Sequence, residues 1–147
     1  MSLMEKLTAD MKEAMKQGEK ERLSVIRLVR GAVRQAEIDG KKTLTDDEVI
    51  CVISKEVKMR RDSIEEFARG KRDDLVAKTK AEIDLLMPYL PAQLSVDEVK
   101  KIVADVVAEV GAETAKDMGK VMGVLMPRVK GRADGKLINE IVRAHLK

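Results

Sequence analysis

Apolar residues recur every three to four positions along most of the chain, with charged residues between them. This spacing is typical of amphipathic helices. One such stretch runs from Leu3 to Met15 and is followed by Gly18, and a second runs from about Lys20 to Ile38 and is followed by Gly40. Glycine often ends a helix because it adopts the left-handed backbone conformation at little steric cost. The pattern therefore predicts two N-terminal helices.

Capping boxes predict where further helices begin. In such a box, a Ser or Thr hydroxyl and an acidic side chain three residues later satisfy the unpaired amides of the first turn. Thr45-Asp46-Asp47-Glu48 precedes a long apolar stripe that reaches Gly70, and a fourth helical pattern follows over about Arg72 to Met87. Pro88 and Pro91 cannot continue that helix, because proline lacks an amide hydrogen and disfavours a helical preceding residue.

Three more helices are predicted after the prolines. Ser95 to Glu98 forms a second capping box, and its helix ends at Gly111. Thr114 to Asp117 predicts the start of a helix that Pro127 ends or kinks, and Asp134 caps a last one. We therefore expect an all-α protein, with an N-terminal helical domain of about four helices over residues 1–90. A small three-helix C-terminal domain is expected over residues 91–147.

Composition narrows the class of protein. The 147 residues include 29 Lys and Arg against 26 Asp and Glu, only two aromatic residues and a single cysteine, Cys51. One cysteine cannot form an internal disulfide, the first twenty residues are not leader-like, and no apolar run approaches a membrane span. The sequence therefore predicts a cytoplasmic protein that does not enter a membrane.

Positive charge gathers near the C-terminus. Residues 116–147 contain eight basic and three acidic residues, and Arg128, Lys130, Arg132 and Lys136 surround a glycine turn that enters a helix. Cations and the free amides of a helix N-terminus together suit a phosphate group. The alternative is a solvent-exposed loop whose Lys and Arg side chains only keep the protein soluble. For a basic loop in general, this alternative is the more common one.

Two other patterns in this segment have both a functional and a structural interpretation. Gly119 and Gly123 share one helical face and permit a close approach, either by a neighbouring helix, which is favoured, or by an RNA backbone. Met118, Met122 and Met126 form a stripe that suits a partner helix, although core packing explains it better. The cations of the second and third helices are best interpreted as an ion-paired exterior; they are Arg27, Arg30, Arg34, Lys55, Lys58, Arg60 and Arg61.

The chain offers no catalytic constellation. Cys51 lies among apolar neighbours and His145 lies near the terminus, and neither has an evident partner for nucleophilic catalysis. Acidic residues stand near the expected helix starts, where the helix dipole favours anions, so capping explains them. We therefore predict a protein that is not an enzyme and that needs no cofactor or metal.

The segment Lys116 to Asn139, with Gly119, Gly123, Gly131 and Asp134 in place, closely resembles the signature of the YqeY family. Leu23 to Arg27 and the Glu56 to Ser63 stretch fit as well, so the resemblance covers essentially the whole chain. It implies an all-helical N-terminal domain and a small three-helix domain. The latter is similar to the C-terminal tail of the GatB subunit of the tRNA-dependent amidotransferase, which helps to hold tRNA.

The resemblance implies a non-catalytic accessory protein that binds tRNA or other structured RNA. The carbon-nitrogen ligase activity, with glutamine as amide donor, that is assigned to the family is explained by its kinship with the larger amidotransferase. The alternative is an adaptor that docks on an amidotransferase or an aminoacyl-tRNA synthetase through the methionine and glycine face. The residues expected to contact RNA are Lys120, Arg128, Lys130, Arg132 and Lys136, with Gly119, Gly123 and Gly131 allowing close approach.

Overall fold

The computed structural model describes residues 1–146, and within them it contains seven α-helices and no β-strand. The helices are α1 (Leu3–Gln17), α2 (Lys20–Gly40), α3 (Asp46–Arg69), α4 (Asp73–Leu86), α5 (Val96–Val110), α6 (Met118–Val129) and α7 (Gly135–His145). Short 3₁₀ turns at Met87–Tyr89 and Ala115–Asp117 lead out of α4 and into α6. The predicted all-α class is confirmed. None of the helices in residues 1–146 is both long and apolar enough to span a bilayer.

Most helix ends follow the local sequence signals. The hydroxyls of Thr45 and Ser95 accept hydrogen bonds from the amides of Glu48 and Glu98, at 3.3 and 3.1 Å, and each glutamate side chain bonds back to the cap residue. Gly18 and Gly111 end α1 and α5 in the left-handed conformation. These starts and stops are set by neighbouring residues alone, which explains why the sequence predicts them.

Two helix ends differ from the prediction. Gly40 does not end α2 but is its last residue, and Lys41 takes the left-handed conformation instead, with a φ of 52°. The 3₁₀ turn precedes α6, so the Asp117 carboxylate accepts from the amides of Glu113 and Thr114 before the α-helix begins. Of the two effects predicted for Pro127, ending the helix is excluded, because α6 continues to Val129. Proline has no amide hydrogen, so α6 loses one helical hydrogen bond at that position.

Residues Met1–Leu90 form one compact unit, here called the N-terminal unit. Helix α1 packs on α2, and α3 packs on α4. The apolar stripes of these helices meet in one core, whose buried members are Leu7, Val25, Ile26, Val29, Val33, Val49, Ile53, Val57, Ile83, Leu86 and Tyr89. The Tyr89 hydroxyl donates to the Asp10 carboxylate, which ties the segment after α4 to α1.

Residues Pro91–Lys147 form a second compact unit, here called the C-terminal unit. Helix α5 packs against both α6 and α7. The valine-rich stripe of α5 supplies much of a core that contains Val99, Val103, Val106, Val107, Val121, Leu125, Val129, Ile138, Val142 and Leu146. This core buries one face of α6 and leaves its opposite face exposed.

Candidate functional site

The exposed face of α6 is nearly free of side chains. Gly119, Gly123, Met126 and Lys130 are spaced by four, three and four residues, which places them on one side of the helix, and all four are exposed. A Cβ atom built on Gly119 or Gly123 would meet no atom of residues 1–146 within 4 Å. The expectation that a neighbouring helix packs against these glycines is therefore wrong. We call this strip of α6 the glycine face.

Pro127 adds a hydrogen-bond acceptor to the glycine face. A proline has no amide hydrogen, so the carbonyl of Gly123, four residues earlier, lacks its usual helical donor. Gly123 itself is exposed, and the missing side chain leaves that backbone open to an incoming group. The glycine face therefore permits close approach and includes one carbonyl without its helical amide donor.

Three exposed lysines lie on α6 or follow it in the chain. Lys120 and Lys130 lie on α6 and at its end, and Lys136 lies in the first turn of α7. Within residues 1–146, none of the three ammonium groups has a carboxylate oxygen within 4.0 Å. The pKa of Asp117 is lowered chiefly by the amides that donate to it, with a smaller contribution from Lys120. These three lysines are therefore available to an anion.

Arg128 is bound by a carboxylate that the sequence does not identify. Its Nη1 and Nη2 atoms lie 3.1 and 2.7 Å from the two carboxylate oxygens of Glu109 on α5. The Arg128 guanidinium holds the pKa of Glu109 below its ordinary value, mainly through these hydrogen bonds. Glu109 precedes Arg128 by 19 residues, so only the packing of α5 on α6 brings the two together.

Arg132 and Gly131 have structural roles in the same loop. The Arg132 Nε donates to the carbonyl of Ala92 at 3.1 Å, and its own carbonyl accepts from the amide of Leu94 at 2.8 Å. The Gln93 side chain donates to the carbonyl of Gly131 at 2.7 Å. Gly131 has a φ of 72°, a conformation that side chains disfavour. The turn is therefore held against the segment that precedes α5.

The N-terminus of α7 already has an anion. Asp134 caps the helix as predicted, and its carboxylate accepts from the amide of Lys136 at 3.1 Å. A carboxylate at a helix start occupies the position that a phosphate would take. The four cations expected to surround one phosphate at this turn therefore differ. Arg128 and Arg132 bind groups within the protein, whereas Lys130 and Lys136 have no carboxylate within 4.0 Å in residues 1–146.

The methionine stripe divides between the core and the surface. Met118 and Met122 pack against the core of the C-terminal unit, as the favoured interpretation predicts, whereas Met126 is 37% exposed. Helical spacing places the three residues 40° apart in succession, so the stripe passes from the buried side of α6 to the glycine face. Met126 is therefore the one methionine of the three whose side chain is exposed on the glycine face.

In the N-terminal unit, Arg60 is ion-paired but not on the exterior. Its guanidinium lies 2.8 Å from Glu56 and 3.4 Å from Glu82, and the side chains of Arg60 and Glu56 are each only 11% exposed. Arg30 is also partly buried, with one Nη donating to the sulfur of Met11. The expected ion pairing is therefore confirmed for Arg60. Arg60 also lines a groove, together with the exposed side chains of Leu28 and Met59.

The C-terminal unit also has an apolar groove of about 480 Å³ between α5 and α7. Its lining consists of Val96, Lys100, Leu137, Glu140, Ile141, Ala144 and His145, none of which is a predicted RNA contact.

In the part of the chain that the structure describes, no three His, Cys, Asp or Glu side chains are placed to hold a metal ion. Cys51 is half-buried on α3.

Comparison with known proteins gives one family and several relatives. The family model described as "Yqey-like protein" matches residues 4–146. A protein of Pyrenophora tritici-repentis named "Altered inheritance of mitochondria protein 41, mitochondrial" is 37% identical over 87 residues, which is 59% of this chain and 48% of the relative. Proteins of the same name in Saccharomyces cerevisiae and Candida glabrata are 35% and 38% identical, over 66% and 57% of this chain and 56% and 47% of theirs. The chain spans about half the length of the curated relatives it matches.

These names contradict the predicted cytoplasmic location, because the relatives are named as mitochondrial proteins. The prediction rested on the charges of the first twenty residues and on a single cysteine. Neither property determines the compartment of a protein, because the same charge pattern and the same cysteine count occur in proteins of several compartments. The cytoplasmic assignment is therefore wrong.

Proposed function

Because the chain belongs to the YqeY-like family, we propose that it is a non-catalytic accessory protein that binds tRNA or another structured RNA. The contact is made by the C-terminal unit, on and beside the glycine face. The observation that supports this proposal most directly is the pair of exposed lysines, Lys120 beside the glycine face and Lys130 at its end, which have no carboxylate partner in residues 1–146.

The chemistry of this face suits a folded RNA backbone. Lysine ammonium groups neutralise phosphates, and a bare helix backbone can come close to the shallow minor groove of an A-form stem. The Gly123 carbonyl accepts a hydrogen bond, and a ribose 2′-hydroxyl can donate one. This pairing distinguishes RNA from DNA, because deoxyribose lacks the hydroxyl.

Stacking on unpaired bases contributes little in this mode. Both aromatic residues, Phe67 and Tyr89, belong to the N-terminal unit, and Tyr89 is buried. Proteins that hold single strands use exposed aromatic platforms. We therefore expect recognition of RNA shape and phosphates by Lys120, Lys130 and Lys136, while Arg132 and Gly131 maintain the adjoining turn.

The two units are proposed to be separate domains, residues 1–90 and 91–147. Their cores share no buried residue. On this proposal the C-terminal domain contains the whole RNA contact surface.

The test is a titration with folded tRNA, and with an RNA duplex of equal length, at several salt concentrations. Three phosphate contacts give a slope of log affinity against log salt of about −3. The variant Lys120→Gln with Lys130→Gln should reduce the magnitude of that slope by about two. The control is Lys100→Gln with Lys101→Gln, which removes the same charge from α5. Equal weakening by both pairs would show that net charge alone, and not the glycine face, governs binding.

An adaptor that docks on an amidotransferase or a synthetase is the second candidate, and the exposed Met126 beside the bare backbone favours it. Met122 packs in the core, so it does not serve that surface. A pull-down of either enzyme that survives RNase and is lost in Met126→Asp would support the adaptor. Loss of every partner after RNase would count against it.

The absence of catalysis is part of the proposal. Purified protein should neither hydrolyse ATP nor transfer ammonia from glutamine to mischarged tRNA. Either activity, present in the wild type and proportional to protein concentration through purification, would replace the accessory function with an enzymatic one.

A further inference from the structure

Arg128 and Glu109 form the single salt bridge found within the C-terminal unit over residues 91–146. The pair is bidentate: Arg128 Nη1 donates to Glu109 Oε1 at 3.1 Å, and Nη2 donates to Oε2 at 2.7 Å. Charge-assisted bidentate pairs of this kind fix the guanidinium in one orientation. Arg128 is about 140° around α6 from Gly123, so it lies on a side of the helix away from the glycine face. Glu109 holds its guanidinium on that side, toward α5.

Arg128 lies eight residues after Lys120, so the two side chains are about 80° apart around α6. An arginine side chain is long enough to cover that angle when it is not restrained. Without its partner, Arg128 would extend the row of cations that begins at Lys120. Asp105, one turn before Glu109, also acts on Arg128, but more weakly and without a hydrogen bond.

We propose that Glu109 keeps Arg128 out of the RNA contact, so that the C-terminal unit binds RNA through its lysines with one phosphate contact suppressed. This inference rests on the proposed RNA binding. It assigns Glu109 the role of limiting affinity for phosphate backbones, and it removes Arg128 from the contact residues expected from the sequence. A phosphate would have to compete with a carboxylate that already binds both Nη atoms, and on this proposal the wild-type pair stays closed in the complex.

Three variants test the inference by the salt dependence of tRNA binding. Glu109→Gln releases Arg128 and should add one phosphate contact, which raises the slope magnitude by about one and the affinity about fivefold at 0.15 M salt. Glu109→Gln with Arg128→Gln removes both charges and should restore the wild-type slope and affinity. Glu140→Gln is the matched control, because it removes one negative charge from α7 that has no cation within 4.0 Å in residues 1–146. It should change the slope by much less than one.

Each outcome decides the inference separately from the proposed function. An exposed pair contributes little to stability, so all three variants should keep the wild-type melting curve.

The inference is overturned if the doubly neutral variant binds more weakly than wild type with a slope smaller by one, since Arg128 then contacts RNA in the wild type. It is also overturned if Glu109→Gln has no effect, or if Glu140→Gln gives the same gain. If only Lys120→Gln with Lys130→Gln fails to weaken binding, the glycine-face site is wrong. If neither wild type nor Glu109→Gln binds tRNA, both proposals are wrong.

Discussion

Replacement of Gly123 by alanine should make the C-terminal unit more stable. Gly123 lies in the middle of α6, and a Cβ added there meets no atom within 4 Å. Alanine is favoured over glycine inside a helix by about 0.8 to 1 kcal/mol. The free energy of unfolding should rise by that amount, which corresponds to about 4 to 8 °C in the melting temperature of a small domain.

The same position allows stability and binding to be separated. Glutamine is also a good helix former, so Gly123→Gln should be stabilised nearly as much, but its side chain covers the glycine face. Loss of one phosphate contact through that obstruction would weaken tRNA binding about fivefold at 0.15 M salt. Stability is measured by urea and thermal unfolding followed by circular dichroism, and affinity by titration with folded tRNA.

Gly31 provides the control. It is an exposed glycine inside α2, and a Cβ there also meets open space, but it belongs to the N-terminal unit. Gly31→Gln should stabilise that unit and leave tRNA affinity unchanged. A destabilised Gly123→Ala would refute the open geometry of the face. A stabilised Gly123→Gln that binds tRNA normally would refute the face as the RNA contact.

Three further predictions concern the fold. Arg60→Met leaves the buried carboxylate of Glu56 without its cation and should cost about 3 to 5 kcal/mol in urea unfolding. The Lys42 ammonium, 2.6 Å from Glu48, and the Thr45 hydrogen bonds lower the pKa of Glu48 to about 2 from 4.5, so its stabilising effect should be complete above pH 4.5 and disappear toward pH 2. A fragment of residues 91–147 should unfold cooperatively by itself in thermal circular dichroism.

Each of these has a clear contrary result. Arg60→Met with wild-type stability would mean that the buried ion pair contributes nothing that an apolar side chain cannot replace. The stability difference between wild type and Glu48→Gln must shrink between pH 5 and pH 2, and a difference independent of pH would exclude the proposed linkage. A fragment 91–147 without a cooperative transition would show that the C-terminal unit depends on the rest of the chain.

The sequence alone determines the helices of this protein and most of their ends. Thr45, Ser95 and Asp134 cap their helices as predicted because a cap hydrogen bond joins residues two or three positions apart. Gly18 and Gly111 end helices because the required backbone conformation is a property of the residue itself. Interactions this local need no information about the rest of the fold.

The sequence also places the cations near the C-terminus but does not determine which of them are available to a ligand. Arg128 and Lys130 look equivalent along the chain, and both are exposed, yet Arg128 is bound to Glu109 whereas Lys130 has no carboxylate within 4.0 Å in residues 1–146. Likewise, the spacing of Gly119 and Gly123 is compatible with helix packing or with an open face, and only the structure shows open space around both.

Tertiary structure decides these points because they depend on groups far apart in sequence. The packing of α5 on α6 brings Glu109 to Arg128 across 19 residues, and the turn at Arg132 meets Ala92 across 40 residues. Periodicity reports which face of a helix is apolar, but it does not report which helix covers that face or which charge lies opposite. The helices and their caps are therefore determined locally, whereas the identity of the free cations follows from how the helices pack.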